Sequence, residues 1–310
     1  MDACHEILGV GTVTIDNFIF VEKYPTSDQK EKIVAEHRSF GGLVGTALAT
    51  AARFGGRCVY WGIVGVESDS RSVIEGLSDA GIECINLIEK RGVHAVHSYI
   101  IADESLHTRT IFFSDPLCVM PEREQIDKSI FKTVKVLLTD QTGIEAARCA
   151  KQLGVPVVAD MDWLGRSDEQ EFMEIVDHLV LSAEFARSVV NKDNPAEIVH
   201  SLQEIGDRVC TAVTFGAEGC YFSSKTDEDR VKRIPAFNVP ARETTGCGDV
   251  FHGAYAFALT LNYSIHECML FASAASSLYA SRPSGWEHLP NLTEVVDLIR
   301  QQQINIESID

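Results

Sequence analysis

The segment 242–258, RETTGCGDVFHGAYAFA, has the residue types and spacing best suited to chemistry. Gly246 and Gly248 precede an apolar helical pattern, where small residues let backbone N–H groups approach an anion and the helix dipole favours negative charge. Asp249 then falls in the first helical turn, beside that anion. A carboxylate in this position can accept the proton of a hydroxyl that attacks a phosphoryl group. The local sequence also allows a plain glycine turn with Asp249 as a helix-start residue.

Other carboxylates follow predicted strands. Asp16 comes just after the first apolar run, Asp140 ends VLLTD, and Asp160 and Asp162 end VVADMD. The carboxyl ends of parallel strands face the ligand crevice of an open α/β sheet, so these side chains are expected near Asp249. There Asp140 is a candidate substrate ligand, and Asp160 and Asp162 are candidates for a Mg²⁺ site. Because aspartate is also common in turns, a structural role stays open for each.

The elements that must position these residues alternate along the chain. Apolar runs that suit strands buried on both faces are followed by helical patterns, which predicts an α/β fold with a mostly parallel sheet flanked by helices. The predicted strands cover 7–13, 58–64, 134–139, 155–160, 178–181 and 209–215. The predicted helices cover 43–54, 69–80, 143–153, 184–190, 195–205, 248–261, 265–280 and 292–302. We expect a single domain over residues 1–310.

Two segments interrupt this alternation, at about 12–40 and 93–115. The second contains VHSYII and RTIFF, β-branched and aromatic runs that favour strands, and neither segment has a helical stripe. Strands that cannot join the main sheet are expected to form a small second sheet beside the crevice. Such a sheet would be placed to act as a lid over the site or as the contact of a homodimer.

The composition limits the classes of function. A 310-residue chain with 45% hydrophobic residues is long enough for a large core, and its net charge of −18 disfavours nucleic acid and anionic membrane surfaces as partners. The first residues lack a signal-peptide pattern, and no apolar run reaches the ~18 residues of a membrane span. The nine cysteines show no CxxC spacing, so neither a zinc site nor a disulfide framework is indicated. A cytoplasmic location is expected.

TTGCGDVFHGA resembles the C-terminal signature of the PfkB/ribokinase family of sugar kinases, and GGLVGTA resembles its N-terminal signature. The resemblance extends over nearly the whole chain, and DVFHGA followed by FAS and SRP is similar to the branch of fructose-type and sulfofructose kinases. It implies a Rossmann-like, ribokinase-like fold with a β-sheet lid, and ATP-dependent phosphorylation of a hydroxyl with Mg²⁺. The family's anion hole maps onto the backbone of Gly246, Cys247 and Gly248, and its catalytic base onto Asp249.

Cys247 stands where the family usually has alanine. Because a helix N-terminus lowers the pKa of a thiol, we expect the pKa of Cys247 to be lowered. Alkylation of the thiol is then expected to fill the phosphate site and block the reaction. An inert small residue is the alternative.

On the substrate side, the resemblance implies that Asp16 receives two sugar hydroxyls. It also implies that Gly41 and Gly42 let the backbone approach the sugar. Thr46 replaces the family's usual asparagine, which leaves the identity of the sugar open. Arg109, on the predicted lid, would meet an anionic group of the substrate. An exposed arginine without a contact is the alternative reading of that position.

On the nucleotide side, the resemblance implies a set of residues from the C-terminal half: Ser182, Glu184, Thr214, Gly216, Gly219, His252 and Ser273. Glu184 would also orient water on Mg²⁺. Glu243 replaces the family's usual aspartate, and the loop from Arg242 to Thr245 is the candidate site for K⁺. The segment 281–286, SRPSGW, matches the loop that closes over adenine.

Two other classes of function stay open from the sequence. Gly9 and Gly11 in GVGTVT loosely match the dinucleotide fingerprint without its third glycine, so an NAD-dependent oxidoreductase is a weak alternative. A non-catalytic sensor of sugar or nucleotide on the kinase fold is the second. No GxxxxGK[ST] segment occurs, which excludes a P-loop kinase. The sequence does not identify the sugar.

Overall fold

The computed structural model describes residues 5–66, 68–85, 87–103, 105, 108–114, 121–162, 168–228 and 230–309. Within these residues the predicted α/β fold is confirmed, with a mostly parallel sheet between two layers of helices. Its ten described strands are, in spatial order, β16 (Glu307–Ser308), β15 (Lys232–Ile234), β14 (Cys220–Ser224), β13 (Cys210–Thr214), β12 (His178–Ser182), β11 (Val157–Asp160), β10 (Val136–Asp140), β1 (Ile7–Val10), β4 (Cys58–Tyr60) and β6 (Glu83–Cys84). The strands from β13 to β6 are parallel, and β14, β15 and β16 extend the sheet as antiparallel neighbours.

Successive apolar residues of the central strands point to opposite faces, so the sheet is buried on both sides. Ile7 and Leu138 belong to one hydrophobic core, and Leu8 and Leu137 belong to the other. The first core is covered by α1 (Leu43–Arg53), α2 (Ser68–Asp79), α7 (Cys247–Thr260), α8 (Ile265–Ala280) and α9 (Leu292–Gln302). The second is covered by α3 (Ile144–Leu153), α4 (Glu169–Ile175), α5 (Ala183–Val190) and α6 (Pro195–Gln203). Among the described residues, no helix has the length and apolar character needed to cross a bilayer.

A separate small sheet is formed by the two segments that interrupt the alternation, as predicted. Its strand order is β3 (Ile33–Gly41), β2 (Thr14–Val21), β8 (Val96–Asp103) and β9 (Thr108–Phe113). Residues 104, 106, 107 and 115 of the predicted segment lie outside the described residues. On this sheet Asp16 pairs with Ser39 of β3 and with Ser98 of β8, so these three side chains share one face.

The prediction of one strand over 58–64 is wrong. The chain leaves the main sheet after β4 and continues as β5 (Ile63–Gly65), which pairs with β7 (Ile88–Lys90) in a sheet of its own. Gly62 lies at the break, and a Cβ there would be 2.5 Å from the Tyr60 hydroxyl oxygen, so this path needs a residue without a side chain. The apolar run concealed the break because both short strands are buried.

Gly9 and Gly11 have a packing role. A Cβ on Gly9 would be 2.3 Å from Leu48 Cδ1, and a Cβ on Gly11 would be 2.3 Å from Val44 Cγ2. Both neighbours belong to α1, so the two glycines allow this helix to lie directly against β1 and the residues that follow it. The partial dinucleotide fingerprint is therefore explained by helix–strand packing.

Candidate active site

A cavity of about 190 Å³ lies between the small sheet and the start of α7. One wall comes from β2, β8 and β9, and the other from the residues that precede α7. Six residues predicted from the sequence meet here: Asp16, Gly42, Arg109, Asp162, Gly246 and Asp249. The same cavity is lined by Thr12, Thr14, Leu43, Val96, Ser98, Ile100, Ile111, Phe113 and Thr245.

The start of α7, beside this cavity, has unpaired backbone donors. Unlike α8, which Ser264 caps through its side chain, α7 begins after Gly246 without a side-chain cap. Gly246 has φ of +79°, a left-handed conformation that favours glycine. Within the described residues, no acceptor takes the N–H of Gly246, Gly248 or Asp249. Three neighbouring N–H groups at a helix N-terminus form a site suited to an anion.

Asp249 lies in the first turn of α7 and faces the same cavity. Burial raises the pKa of its carboxyl well above the usual aspartate value, and the carboxylates of Asp160, Asp162, Asp16 and Asp140 raise it further. A carboxylate whose pKa is raised binds a proton more strongly, so it is a better general base than one with an ordinary pKa. The geometry thus places a basic carboxylate next to unpaired N–H donors.

Asp16 is held by the small sheet on the opposite wall. The Thr14 hydroxyl donates to Asp16 Oδ1 at 2.6 Å, and burial raises the pKa of Asp16 while bonds from Thr14 and Ser98 oppose that rise. A Cβ on Gly41 would lie 1.9 Å from Asp16 Oδ2. Glycine at position 41 is therefore required for Asp16 to keep this position. The sequence reasoning missed Thr14 and Ser98, although the two-residue spacing of Thr14 and Asp16 on a strand was a usable signal.

Two predicted substrate ligands lie behind the cavity wall. Asp140 Oδ2 accepts the Thr12 N–H at 2.7 Å and its Oδ1 accepts the Thr142 N–H at 2.9 Å, so its oxygens hold two backbone turns. Thr46 Oγ1 accepts the indole N–H of Trp286 at 3.0 Å. Neither residue lines the cavity. We expected both to contact the substrate, and the structure instead places both side chains in contacts within the protein.

A second cavity, of about 100 Å³, lies on the other side of the glycine loop. Within the described residues, the buried Ser273 hydroxyl has no hydrogen-bond partner. A buried hydroxyl without a partner is unfavourable in the free protein and would be satisfied by a ligand. The lining includes six residues predicted on the nucleotide side or in the anion hole: Thr214, Gly216, Gly219, Cys247, Gly248 and Ser273.

The expectation of a lowered pKa for Cys247 is wrong. Burial raises the pKa of this thiol to about 12, the nearby Arg109 guanidinium opposes the rise, and the Asp249 and Glu243 carboxylates add to it. A helix N-terminus lowers a thiol pKa only when the thiolate is solvated or paired, and this thiol lies against the Glu243 carbonyl oxygen at 3.9 Å. Cys247 is therefore a protonated, weakly reactive wall residue at neutral pH.

His252 occupies a position beneath the first turn of α7, away from both cavities. Its Nδ1 lies 2.7 Å from the Gly248 carbonyl oxygen and its Nε2 lies 3.0 Å from the Val180 carbonyl oxygen. Carbonyl oxygens only accept, so both contacts are hydrogen bonds only when both ring nitrogens carry protons. Asp160 Oδ2 lies 3.5 Å from Nδ1 and supplies a counter-charge when the ring is protonated. His252 thus supports the loop, and the nucleotide contact implied for it stays a prediction.

The remaining predicted residues flank these cavities. Ser182 caps α5 by accepting the Phe185 N–H, and Glu184 is exposed in the first turn of that helix. Neither lines the two cavities. Arg109 Nη1 donates to Thr244 Oγ1 at 2.9 Å, so the small sheet touches the loop before α7.

The candidate metal ligands are carboxylates near Asp249. Asp160 Oδ1 accepts the Met161 N–H, and Asp162 Oδ1 is 3.3 Å from Gln141 Nε2. Desolvation in the crevice and the neighbouring Asp160 raise the pKa of Asp162 to about 7. No group of three or more potential ligands among the described residues has the geometry of a preformed metal site. The two carboxylates can supply oxygen donors of the type that Mg²⁺ prefers, while water and phosphate would have to complete the shell.

Comparison with known proteins assigns the class. Residues 5–292 match the pfkB family of carbohydrate kinases, and the chain belongs to that family. It is 24% identical over 318 residues to the bifunctional ribokinase/ribose-5-phosphate isomerase A of Fructilactobacillus sanfranciscensis, a match that covers 98% of this chain and 58% of that protein. The chain thus spans little more than half of that relative.

Solved structures agree on the fold. Ribokinase from Thermotoga maritima superposes with a TM-score of 0.79 at 21% identity, covering 96% of this chain and 99% of that one. Arabidopsis thaliana ribokinase, solved in complex with ribose and ATP, superposes with a TM-score of 0.78 at 20% identity, covering 97% and 99%. The ribokinase-like fold is therefore confirmed, while the expected branch of fructose-type and sulfofructose kinases stays a prediction.

Proposed function

We propose that the protein transfers the γ-phosphoryl group of ATP to a primary hydroxyl of a sugar or a sugar-like alcohol. The observation that carries this proposal is the position of Asp249 and the unpaired N–H group of Gly246 on one wall of the first cavity, facing Asp16 on the other, with the unpaired N–H group of Gly248 at the second cavity beside it. Base, anion site and hydroxyl-binding carboxylate are the three parts that such a transfer needs.

In this mechanism Asp16, supported by Thr14, accepts hydrogen bonds from substrate hydroxyls and orients the reacting one toward α7. Asp249 accepts the proton of that hydroxyl as it attacks. The N–H groups of Gly246 and Gly248 stabilise the charge that develops on the transferring group. Each role uses a group that is already in place in the free protein, which limits the reorganisation needed during the reaction.

ATP is proposed to bind in the second cavity, where the Ser273 hydroxyl lacks a partner and Thr214 and Gly216 form the wall. Mg²⁺ would then be held by phosphate oxygens and water, with Asp160 and Asp162 as the nearby carboxylates. This ion supplies charge neutralisation for the phosphates. Glu184 is exposed and remains the proposed contact to water on the ion.

K⁺ is the cation proposed for the loop from Arg242 to Thr245. Glu243 Oε2 and the Thr245 carbonyl oxygen both accept hydrogen bonds from Ser284, so these oxygens already have partners. Replacing KCl with choline chloride in the assay tests the assignment. A fall in rate that returns with KCl would support a cation at this loop, and an unchanged rate would remove it.

The small sheet is proposed to act as a lid and as the contact of a homodimer. Its inner face, with Ser98 and Ile111, lines the first cavity, whereas Tyr99 and Phe112 pair on the outer face and are about half exposed. Aromatic residues exposed together are typical of a protein contact. Light scattering should report a dimer that the double change Tyr99→Arg and Phe112→Arg converts to a monomer.

ADP release with a panel of acceptors tests the proposed activity. The panel contains ribose, fructose, fructose phosphates, sulfofructose, inositols and nucleosides, with Mg·ATP as the donor. We expect ADP release that depends on one acceptor class and on Asp249. Binding of sugar and ATP without ADP release would instead support the non-catalytic sensor, and binding of NADH would support an oxidoreductase.

A further inference from the structure

Residues 284–287, here named the bridging segment, lie between α8 and α9. They line neither of the two cavities described above, yet they form hydrogen bonds to Thr245, in one wall of the first cavity, and to Ser39, the β3 neighbour of Asp16 in the other wall. A segment that is bonded to two walls can transmit a displacement from one wall to the other.

The first set of contacts holds the wall that contains the anion site. The Ser284 hydroxyl donates to the Thr245 carbonyl oxygen at 3.2 Å. The Gly285 N–H donates to the Tyr279 hydroxyl at 2.7 Å. The ring of Tyr279 lies directly beside Gly246, since a Cβ on that glycine would be 3.3 Å from Tyr279 Cε1. The position of the bridging segment therefore affects the backbone of the loop that offers its N–H groups to an anion.

The second set of contacts holds the sugar wall. The Trp286 N–H donates to Ser39 Oγ at 3.3 Å, near the end of β3 that leads into Gly41. The Trp286 indole N–H donates to Thr46 Oγ1 in α1. The indole ring also packs against Phe40, with ring centroids 5.5 Å apart. Trp286 therefore holds the strand end that positions Gly41 and, through it, Asp16.

The bridging segment is packed closely against α1 through Trp286. Gly285 has φ of +123°, and a Cβ there would be 2.6 Å from Glu287 Oε2. Gly45 of α1 is also close, because a Cβ on it would be 3.1 Å from Trp286 Cζ2. The packing of Trp286 against Gly45 and Phe40 makes the segment a physical link, because packed elements move as units.

We propose that the bridging segment couples the sugar wall to the anion site, with Trp286 as a positioning residue. A sugar bound against Gly41 and Asp16 then restricts the motion of β3. Through its hydrogen bonds to Ser39 and Thr245, the bridging segment also restricts the motion of the N–H groups at the start of α7. The effect of this coupling on catalysis rests on the kinase function proposed above. The coupling itself does not, and the two can be tested separately.

Hydrogen exchange of the free protein tests the coupling without any turnover. Ser284→Ala removes only the hydroxyl that bonds to Thr245. We expect amide exchange to become at least about threefold faster in 243–246 and also in 39–42, on the distant wall. Ser188→Ala is the matched control, because its hydroxyl bonds only within α5, to the Phe185 carbonyl oxygen. It should change neither region.

A double-mutant cycle tests the consequence for catalysis. Ser39→Ala and Ser284→Ala act on opposite ends of the bridging segment, and turnover is measured with D-ribose or D-fructose, whichever the wild type phosphorylates faster. The loss of kcat in the double variant should be at least about threefold smaller than the product of the two single losses. Ser39→Ala combined with Ser188→Ala should give multiplicative losses.

Trp286→Phe and Trp286→Ala separate positioning from simple folding. The phenylalanine variant keeps a ring beside Phe40 and loses the indole N–H, so it should recover part of the kcat that the alanine variant loses, with little change in the KM for ATP. Exchange changes confined to 243–246, together with multiplicative kinetic losses in an active enzyme, would refute the coupling. Distant exchange changes in a protein that phosphorylates no acceptor of the panel would refute the kinase function and keep the coupling.

Discussion

The two walls of the cavity are built in different ways. The anion wall is one run of consecutive residues, Gly246 to Asp249, whose geometry follows from a left-handed glycine and an uncapped helix start. The sugar wall combines Asp16 and Ser98 from two strands, with Ser39 of β3 beside Asp16, and strand register alone brings them together. The chemistry of the first wall is thus fixed locally, whereas recognition at the second depends on tertiary pairing and can change with small shifts of a strand.

The largest expected effect concerns the anion wall. Asp249→Asn keeps the shape of the side chain and removes its basicity, so kcat should fall by about 10²–10⁴-fold, with ATP affinity nearly unchanged. Single-turnover phosphoryl transfer measures the chemical step directly. Asp297→Asn, at an exposed position of α9, is the control. An Asp249→Asn enzyme that retains most of its kcat with its true acceptor would exclude Asp249 as the base.

A change of one methyl group should break the sugar wall. The added Cβ of Gly41→Ala would occupy the position of Asp16 Oδ2, so the carboxylate has to move. A hydrogen bond to a charged group is worth about 1.5–3 kcal/mol, and its loss corresponds to roughly a 10- to 100-fold fall in kcat/KM for the sugar. Steady-state kinetics should show an unchanged KM for ATP. A rise in the KM for ATP alone would place Gly41 outside the sugar wall.

The corresponding glycine-to-alanine change at the start of α7, Gly248→Ala, should affect ATP instead of the sugar. A Cβ on Gly248 meets no atom within 4 Å, so Gly248→Ala should fold normally. Because Gly248 lines the second cavity, the methyl group should crowd the nucleotide there and raise the KM for ATP about fivefold to tenfold. The KM for the sugar should stay within about twofold. Equal rises in both constants would show that the two walls are less separate than the geometry indicates.

The same difference explains what the sequence could predict. The motif at Gly246–Asp249 is contiguous, and the apolar runs that form the central strands are equally local, so both were predictable. Ser98 was missed because β2 and β8 are paired across more than eighty residues, as in the Asp16–Ser98 pair, whereas Thr14 could have been predicted from its two-residue spacing to Asp16. No local pattern reports which strands of a small sheet are neighbours.

Asp140, Thr46 and Cys247 show the same limit, because the sequence does not reveal which distant residues contact their side chains. Asp140 lies at the end of the predicted strand and Thr46 lies in the predicted helix. Their side chains, however, accept hydrogen bonds from the Thr12 N–H and from the Trp286 indole N–H. The Thr46–Trp286 contact joins residues 240 positions apart, which the sequence alone does not indicate. The thiol of Cys247 was judged from its helix position alone, and burial, which reverses the sign of its pKa shift, was not visible in the sequence.

The smallest expected effect is on the pH dependence of stability, and it differs between the carboxylates of Asp249 and Asp16. Burial raises the pKa of Asp249 above its usual value of 3.8, and no hydrogen-bond donor to this carboxyl opposes the rise. The unfolded chain ionises first as the pH increases. The contribution of Asp249 to stability is therefore complete below pH 3.8 and is lost as the pH rises toward the pKa of the folded state.

Asparagine does not ionise, so Asp249→Asn should melt at a higher temperature than the wild type, by an amount that grows as the pH rises above about 4. At pH 8 the gap should be roughly 2–4 °C for each kcal/mol of the penalty removed. Asp16→Asn should show a smaller gap, because Thr14 and Ser98 donate to the Asp16 carboxyl and oppose the rise in its pKa. Thermal unfolding without nucleotide, sugar or Mg²⁺ gives both curves. If the difference in melting temperature between Asp249→Asn and the wild type were the same at every pH, ionisation of this carboxyl would carry no penalty in the folded state. The proposed electrostatic difference between the two walls would then be refuted.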